Sequence, residues 1–109
     1  MSHERFQACI EECIRCMQAC NHCYYACLEE EHAAKMKECI RLDRECAELC
    51  AFAAQAMSMS ASYAMDVCRL CAQACEACAE ECRRHDHDHC RRCAEACLSC
   101  AEACRTMLA

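Results

Sequence analysis

Polar and apolar residues recur along this chain with the period of a helix, and the residue that marks the period is cysteine. Cys9, Cys13, Cys16, Cys20, Cys23 and Cys27 follow one another in steps of 4, 3, 4, 3 and 4. Cys68, Cys71, Cys75, Cys78 and Cys82 advance by 3, 4, 3 and 4, as do Cys90, Cys93, Cys97, Cys100 and Cys104. A mean step of about 3.5 is the heptad spacing of a seam between packed helices. A thinner ladder with the same steps runs through His32, Met36, Cys39, Asp43, Cys46, Cys50, Ala53 and Met57. Four seams predict four helices, at about 4–29, 33–57, 62–84 and 88–107 of a single domain over 1–109. Connections this short join antiparallel neighbours, so the predicted fold is all-α, an up-down-up-down four-helix bundle with a cysteine-lined core. Ser60 and Ser62 are placed to cap the third helix, Asp86 or Asp88 the fourth, and Arg83-Arg84 sits where the third helix dipole favours positive charge. A second apolar line, Ile10, Ile14, Met17, Tyr24 and Leu28, runs beside the first stripe, and Leu42, Leu49 and Phe52 raise the same question on the second helix. These side chains are expected to pack against neighbouring helices or to form a subunit interface.

Composition narrows the function. Cysteine makes up 19 of 109 residues, and Gly, Pro and Trp are absent. Without Gly or Pro there is little to form tight hairpins or phosphate-cradling loops, which disfavours β-sandwiches, barrels and Rossmann-type nucleotide sites. A net charge of −6 opposes a nucleic-acid partner, which would select clustered positive charge. The N-terminal residues lack a signal-peptide pattern, and Glu, Arg or Asp interrupts every window long enough to cross a bilayer. The expectation is a cytoplasmic protein with no membrane partner.

A disulfide scaffold is the usual reading of such cysteine content, but the spacing opposes it. Side chains three or four apart on a helix have Cβ atoms about 5–6 Å apart, whereas a disulfide needs about 3.5–4.5 Å. Packing alone is also a poor explanation, because seams made almost wholly of cysteine lack the branched bulk that fills a core. Metal-thiolate chemistry remains. Iron–sulfur motifs are presented from loops, often ending in Pro, and these cysteines lie within helices. Zinc closes tetrahedrally on four thiolates with a net charge of about −2 per site, which is costly when several sites are stacked in a dry core. Cu(I) displaces one thiol proton per ion and leaves the charge unchanged. Two copper–sulfur bonds of about 2.2 Å also span the gap between neighbouring ladder thiols. Eight Cys-x3-Cys and six Cys-x2-Cys pairs offer such sites. With each thiolate bridging two metals, capacity approaches one per cysteine, on the order of 15–20 Cu(I). The alternative is a general zinc-thiolate sink or a metallothionein-like detoxification protein. Catalysis is disfavoured: di-iron bundles need Glu-x-x-His on two helices at mid-bundle, and this chain has only Glu29-x-x-His32 at a helix end.

These ladders, with Cys39-Ile-Arg-Leu-Asp-Arg-Glu-Cys46 and His85-Asp-His-Asp-His-Cys90, resemble the bacterial copper storage proteins, particularly their cytosolic branch, over essentially the whole chain. The resemblance implies many Cu(I) ions along a bundle interior, a homotetramer, and ligand roles for all 19 cysteines; a copper chaperone or cuproenzyme is the expected donor or recipient. Asp43 departs from an all-cysteine seam. A hard carboxylate is a poor Cu(I) ligand, so Asp43 is expected to accept hydrogen bonds behind the ligands or to pair with Arg41 or Arg44. In an antiparallel bundle His32, Met36, His85, His87 and His89 gather at one end, while Phe6, Met57, Ala61, Ala64 and Met107 gather at the other. Copper is therefore expected to enter at the His-rich end, with His85, His87, His89 and Met36 as candidate ligands, and the apolar end is expected to be plugged. His3 and His22 are expected at the surface.

Overall fold

A computed structural model describes residues 2–109, with side chains from residue 4 onward, so His3 lies outside the described side chains. The chain forms α1 (Ser2–Leu28), one 3-10 turn (Ala33–Met36), α2 (Lys37–Ser58), α3 (Ala64–Cys82) and α4 (Asp88–Leu108). No strand occurs among the described residues. Each helix packs on its sequence neighbours and α4 closes back on α1, giving an antiparallel bundle 48 × 20 × 17 Å. The diagonal pairs meet only through side chains at the axis. Cys16 on α1 lies 3.9 Å from Cys75 on α3, and Cys46 on α2 lies 4.0 Å from Cys97 on α4, sulfur to sulfur. The narrow cross-section follows from the seam residues. Thiols and the flanking Ala47, Ala54, Ala72, Ala79, Ala94 and Ala101, all buried, let the backbones approach more closely than Leu or Ile would.

The ends of α1, α3 and α4 differ from expectation by at most two residues, whereas α2 begins at Lys37, four residues later than expected, because the turn from Ala33 to Met36 is 3-10; the caps differ in kind. At the start of α3 neither Ser60 nor Ser62 caps: Tyr63 holds the N-cap position with no side-chain hydrogen bond. Ser60 instead adopts φ 50°. Its N–H bonds to the Met57 carbonyl at 3.1 Å, and the Ala61 N–H bonds to the Ala56 carbonyl at 2.9 Å. These are the two bonds of a Schellman ending, so Ser60 takes the left-handed position that glycine usually occupies. At α4 the N-cap is His87, again without a side-chain bond. Asp86 and Asp88 form ion pairs with Arg91 and Arg92 rather than capping. Neither could cap from where it lies, since Asp86 precedes and Asp88 follows the N-cap position held by His87.

The second apolar line is only partly covered. Ile10 is buried and Met17 and Tyr24 are half-buried, but Ile14, Leu28 and Phe52 are exposed, joined on the surface by Tyr25, Met59, Tyr63, Leu70 and Leu98. Packing within one chain therefore does not account for the line as a whole. The apolar end is closed by Phe6, Met57 and Ala64, with Ala61 and Met107 half-buried around them.

Candidate metal centre

All 19 cysteines are buried, and none is disulfide-bonded. They form one connected column. Nearest the His-rich end, Cys23 lies 3.8 Å from Cys27, 4.0 Å from Cys39 and 3.9 Å from Cys90, and Cys39 lies 3.6 Å from Cys82. Asp43 sits directly below, completely buried, with Oδ1 accepting from the thiols of Cys78 at 3.3 Å, Cys93 at 3.4 Å and Cys82 at 3.8 Å, and Oδ2 from Cys39 at 3.8 Å. Next come Cys16, Cys20, Cys46, Cys75 and Cys97, with Cys16 to Cys97 and Cys20 to Cys97 both 3.7 Å. Cys50, Cys71 and Cys100 continue the column, Cys71 being 3.7 Å from Cys50 and Cys100 3.7 Å from Cys13. It ends at Cys9, Cys68 and Cys104, where Cys9 is 3.8 Å from Cys104. Several sets of four thiols have sulfurs mutually within 4.8 Å, among them Cys13, Cys71, Cys100 and Cys104, and Cys16, Cys20, Cys46 and Cys97.

These separations are far too long for disulfides, whose sulfurs lie about 2.05 Å apart. They suit sulfurs sharing a metal: with bonds of about 2.2 Å, two sulfurs on one ion lie about 3.8 Å apart at a trigonal centre and about 4.4 Å apart at a linear one. The column holds no compensating cation, since Asp43 and Glu81 are the only buried charged residues described. Burial without a cation opposes the ionisation of such thiols. Hydrogen bonds among neighbouring thiols, with burial adding to them, push Cys13, Cys20, Cys23, Cys50, Cys68, Cys75 and Cys97 well above the ordinary thiol range. Partners such as Cys16, Cys39 and Cys93, which those hydrogen bonds stabilise as thiolates, are drawn the other way. Multiple deprotonation of the column therefore needs positive charge delivered with the ligand it binds.

Asp43 makes no ion pair with Arg41 or Arg44, which corrects that part of the sequence reading. Its side chain points along the seam, whereas Arg41 pairs with Glu38 and Glu45, and Arg44 pairs with Glu48, on the outer surface. Burial, followed by repulsion from Cys93 and Cys39, pushes its carboxyl up to about 9. A carboxyl raised in this way holds its proton more tightly folded than unfolded, where its value is about 3.9. Its stabilising contribution is complete below about pH 4 and is lost as pH rises through about 9. Between pH 4.5 and 7.5, below the range in which unfolded thiols ionise, the reduced apoprotein is expected to lose thermal stability steadily, and Asp43→Asn to flatten that slope. Equal slopes in the two proteins would mean that Asp43 is ionised in the fold.

The imidazoles at the mouth are not equivalent. His89 reaches the column: its Nδ1 lies 3.6 Å from the sulfurs of Cys23 and Cys90 and 3.9 Å from that of Cys27. His85 and His87, with His32, Met36, Glu30, Glu31 and Lys35, line a cavity of about 330 Å³ above it. Met36 is buried in the wall of this cavity, while His22 and His32 are exposed. The sequence reading did not find two carboxylates that face these rings. Glu81 Oε2 is 2.9 Å from His85 Nε2, and Glu30 Oε2 is 2.8 Å from His89 Nε2. The spacing of Glu81 and His85, four apart where α3 runs into the turn after it, carried a legible signal. Glu30 and His89 are 59 residues apart and carried none.

A family model for copper storage proteins matches residues 2–109. A comparison with curated proteins gives no match. Among solved structures, the apo form of copper storage protein 3 from Bacillus subtilis is 57% identical with a TM-score of 0.91, covering 95% of this chain and 99% of that one. A Cu(I)-bound copper storage protein, BsCsp3, is 56% identical at a TM-score of 0.92, covering 95% and 98%. A cytosolic copper storage protein from Streptomyces lividans, with five coppers, is 45% identical at 0.93, covering 98% and 94%.

Proposed function

The chain belongs to the copper storage protein family, and from that premise we propose that it stores and buffers Cu(I) in the cytoplasm, on all 19 cysteines. The observation that carries this reading is the unbroken column of contacting thiols from Cys27 to Cys9, buried throughout with no cation to neutralise it. Each Cu(I) that replaces a thiol proton preserves charge, so the column can fill toward one metal per cysteine, on the order of 15–20 ions per chain. A family that stores metal needs exchangeable ligands rather than a reacting centre, so the role is storage rather than catalysis.

Filling proceeds from the His-rich end. The opposite end is plugged by Phe6 and Met57, while the mouth carries the donors that soft metal exchange requires. His85, His87 and Met36 take copper at the rim, His89 passes it to Cys23, Cys27 and Cys90, and Asp43 collects thiol hydrogen bonds deeper in without itself being a favoured ligand. Replacing His85, His87 and His89 together by Ala is expected to slow Cu(I) uptake by about tenfold or more while leaving the final capacity within one or two ions of wild type. Uptake at the wild-type rate would place entry elsewhere. Assembly of the bundle into a homotetramer would cover exposed apolar side chains such as Ile14 and Leu28 on α1 and Phe52 on α2. Copper is exchanged with a chaperone as donor or a cuproenzyme as recipient.

Four-thiol sets within 4.8 Å would also accept zinc, and a zinc-thiolate sink is the competing reading. It is weakened by the charge that stacked four-thiolate sites would leave in a core without cations.

A further inference from the structure

His89 is the imidazole that touches the thiol column, and what orients it is a residue from a different part of the chain. Its ring has two nitrogens with different surroundings. Nδ1 faces the sulfurs of Cys23, Cys27 and Cys90, and Nε2 faces Glu30 Oε2 at 2.8 Å. Glu30 lies in the turn between α1 and the 3-10 segment, so it reaches across the mouth to the first turn of α4. The same carboxylate oxygen lies 3.5 Å from His87 Nδ1, and the His87 and His89 rings stack at 5.3 Å with 4° between their planes. One carboxylate thus holds both rings in a fixed pair, and the hydrogen bond from His89 holds that carboxyl below its usual range.

We propose that Glu30 is the positioning residue of the copper entrance: by accepting the Nε2–H of His89 it fixes the tautomer whose bare Nδ1 points at Cys23, Cys27 and Cys90. This rests on the reading that copper enters at the His-rich end. The physical need is specific. A neutral imidazole carries one proton, and a metal can be taken only by the nitrogen without it. A thiol donating to Nδ1 would favour the same tautomer only weakly, because S–H is a poor donor, whereas a carboxylate acceptor at 2.8 Å fixes it firmly. The carboxylate also limits ring rotation, so Nδ1 stays 3.6–3.9 Å from three sulfurs and a Cu(I) ion can be shared between imidazole and thiolate without a search over rotamers. His85 has an analogous partner in Glu81, but that pair sits at the rim, between the end of α3 and the turn that follows it, and reaches no thiol in the contacts described.

The test is the rate of anaerobic uptake by the reduced full-length protein from a Cu(I) complex of a chromophoric chelator, followed by stopped flow. The proteins compared are wild type, Glu30→Gln, Glu30→Ala, His89→Ala and the double variant Glu30→Ala with His89→Ala. The Gln side-chain carbonyl can still accept from Nε2, so Glu30→Gln should load within about twofold of wild type. Glu30→Ala should be slower by about tenfold with unchanged capacity. His89→Ala should be equally slow, and the double variant no slower than His89→Ala alone. Nitrogen-15 spectra of the apoprotein should show His89 protonated at Nε2 in wild type and Glu30→Gln, and a mixture of tautomers in Glu30→Ala. Equal slowing by Gln and Ala would mean that Glu30 acts through its charge and would overturn the proposal. So would slowing that multiplies with that of His89→Ala, or a Glu30→Ala variant that loads at the wild-type rate. If His89→Ala and Glu30→Ala both loaded at the wild-type rate, the entry reading itself would fall with it.

Discussion

Loading the reduced protein with Cu(I) is expected to raise its unfolding temperature by about 20 °C or more, and a strong Cu(I) chelator to remove the gain. A ligand bound only by the native state stabilises it by mass action, about 4 kcal/mol for a site held at a thousandfold excess over its dissociation constant. In a chain of about this size, 1 kcal/mol moves the midpoint by roughly 4–8 °C, so even one fully occupied site accounts for the shift. The stabilisation should grow with each addition, because every ion ties together thiols from different helices. Cys16, Cys46, Cys75 and Cys97, for example, come from all four helices, and Cys16 and Cys46 each lie within 4.0 Å of the other three. The apoprotein, by contrast, holds these helices together at the axis through weak thiol contacts, since S–H is a poor donor. Coincident melting curves with and without copper would exclude an internal site.

Breaking the column at its centre should cost capacity more than stability. Replacing Cys16, Cys46, Cys75 and Cys97 together by Ser keeps the size of each side chain nearly constant and removes the soft donors from one layer. With each thiolate bridging two metals, the loss should be about four Cu(I) or slightly more. The chain should still fold, because helix formation rests on the flanking alanines and charged residues as well as on the seam. A quadruple variant that kept full capacity would show that copper is held outside the column.

The ladders made the helices and the core legible, because cysteine at steps of three and four leaves one face and one register open to each helix. Asp43 was legible as a seam residue for the same reason, but its partners were not. Arg41 and Arg44 are near in sequence, and only the rotation of α2 shows that both face solvent while Asp43 faces four thiols. The His-rich mouth was visible as a group, yet the ladder that orders the seam breaks in the turn before α4, so nothing in the spacing distinguished His89 from His85 or His87. Glu30 could not be found at all, since its link to His89 exists only once α1 and α4 are packed side by side. The expected serine caps failed for a different reason: in a chain without glycine, Ser60 takes the left-handed position that ends α2, and a residue used there cannot also start α3.

The most direct measurement is an anaerobic titration of the fully reduced apoprotein with Cu(I) against a competing chromophoric chelator, repeated with Zn(II). The account predicts that the protein takes more than about ten Cu(I) per chain before the chelator takes any, approaching one per cysteine, and that Zn(II) binds in smaller number and is displaced. An endpoint of roughly one to four Cu(I), or Zn(II) loading to equal capacity and preference, would contradict storage along the thiol column.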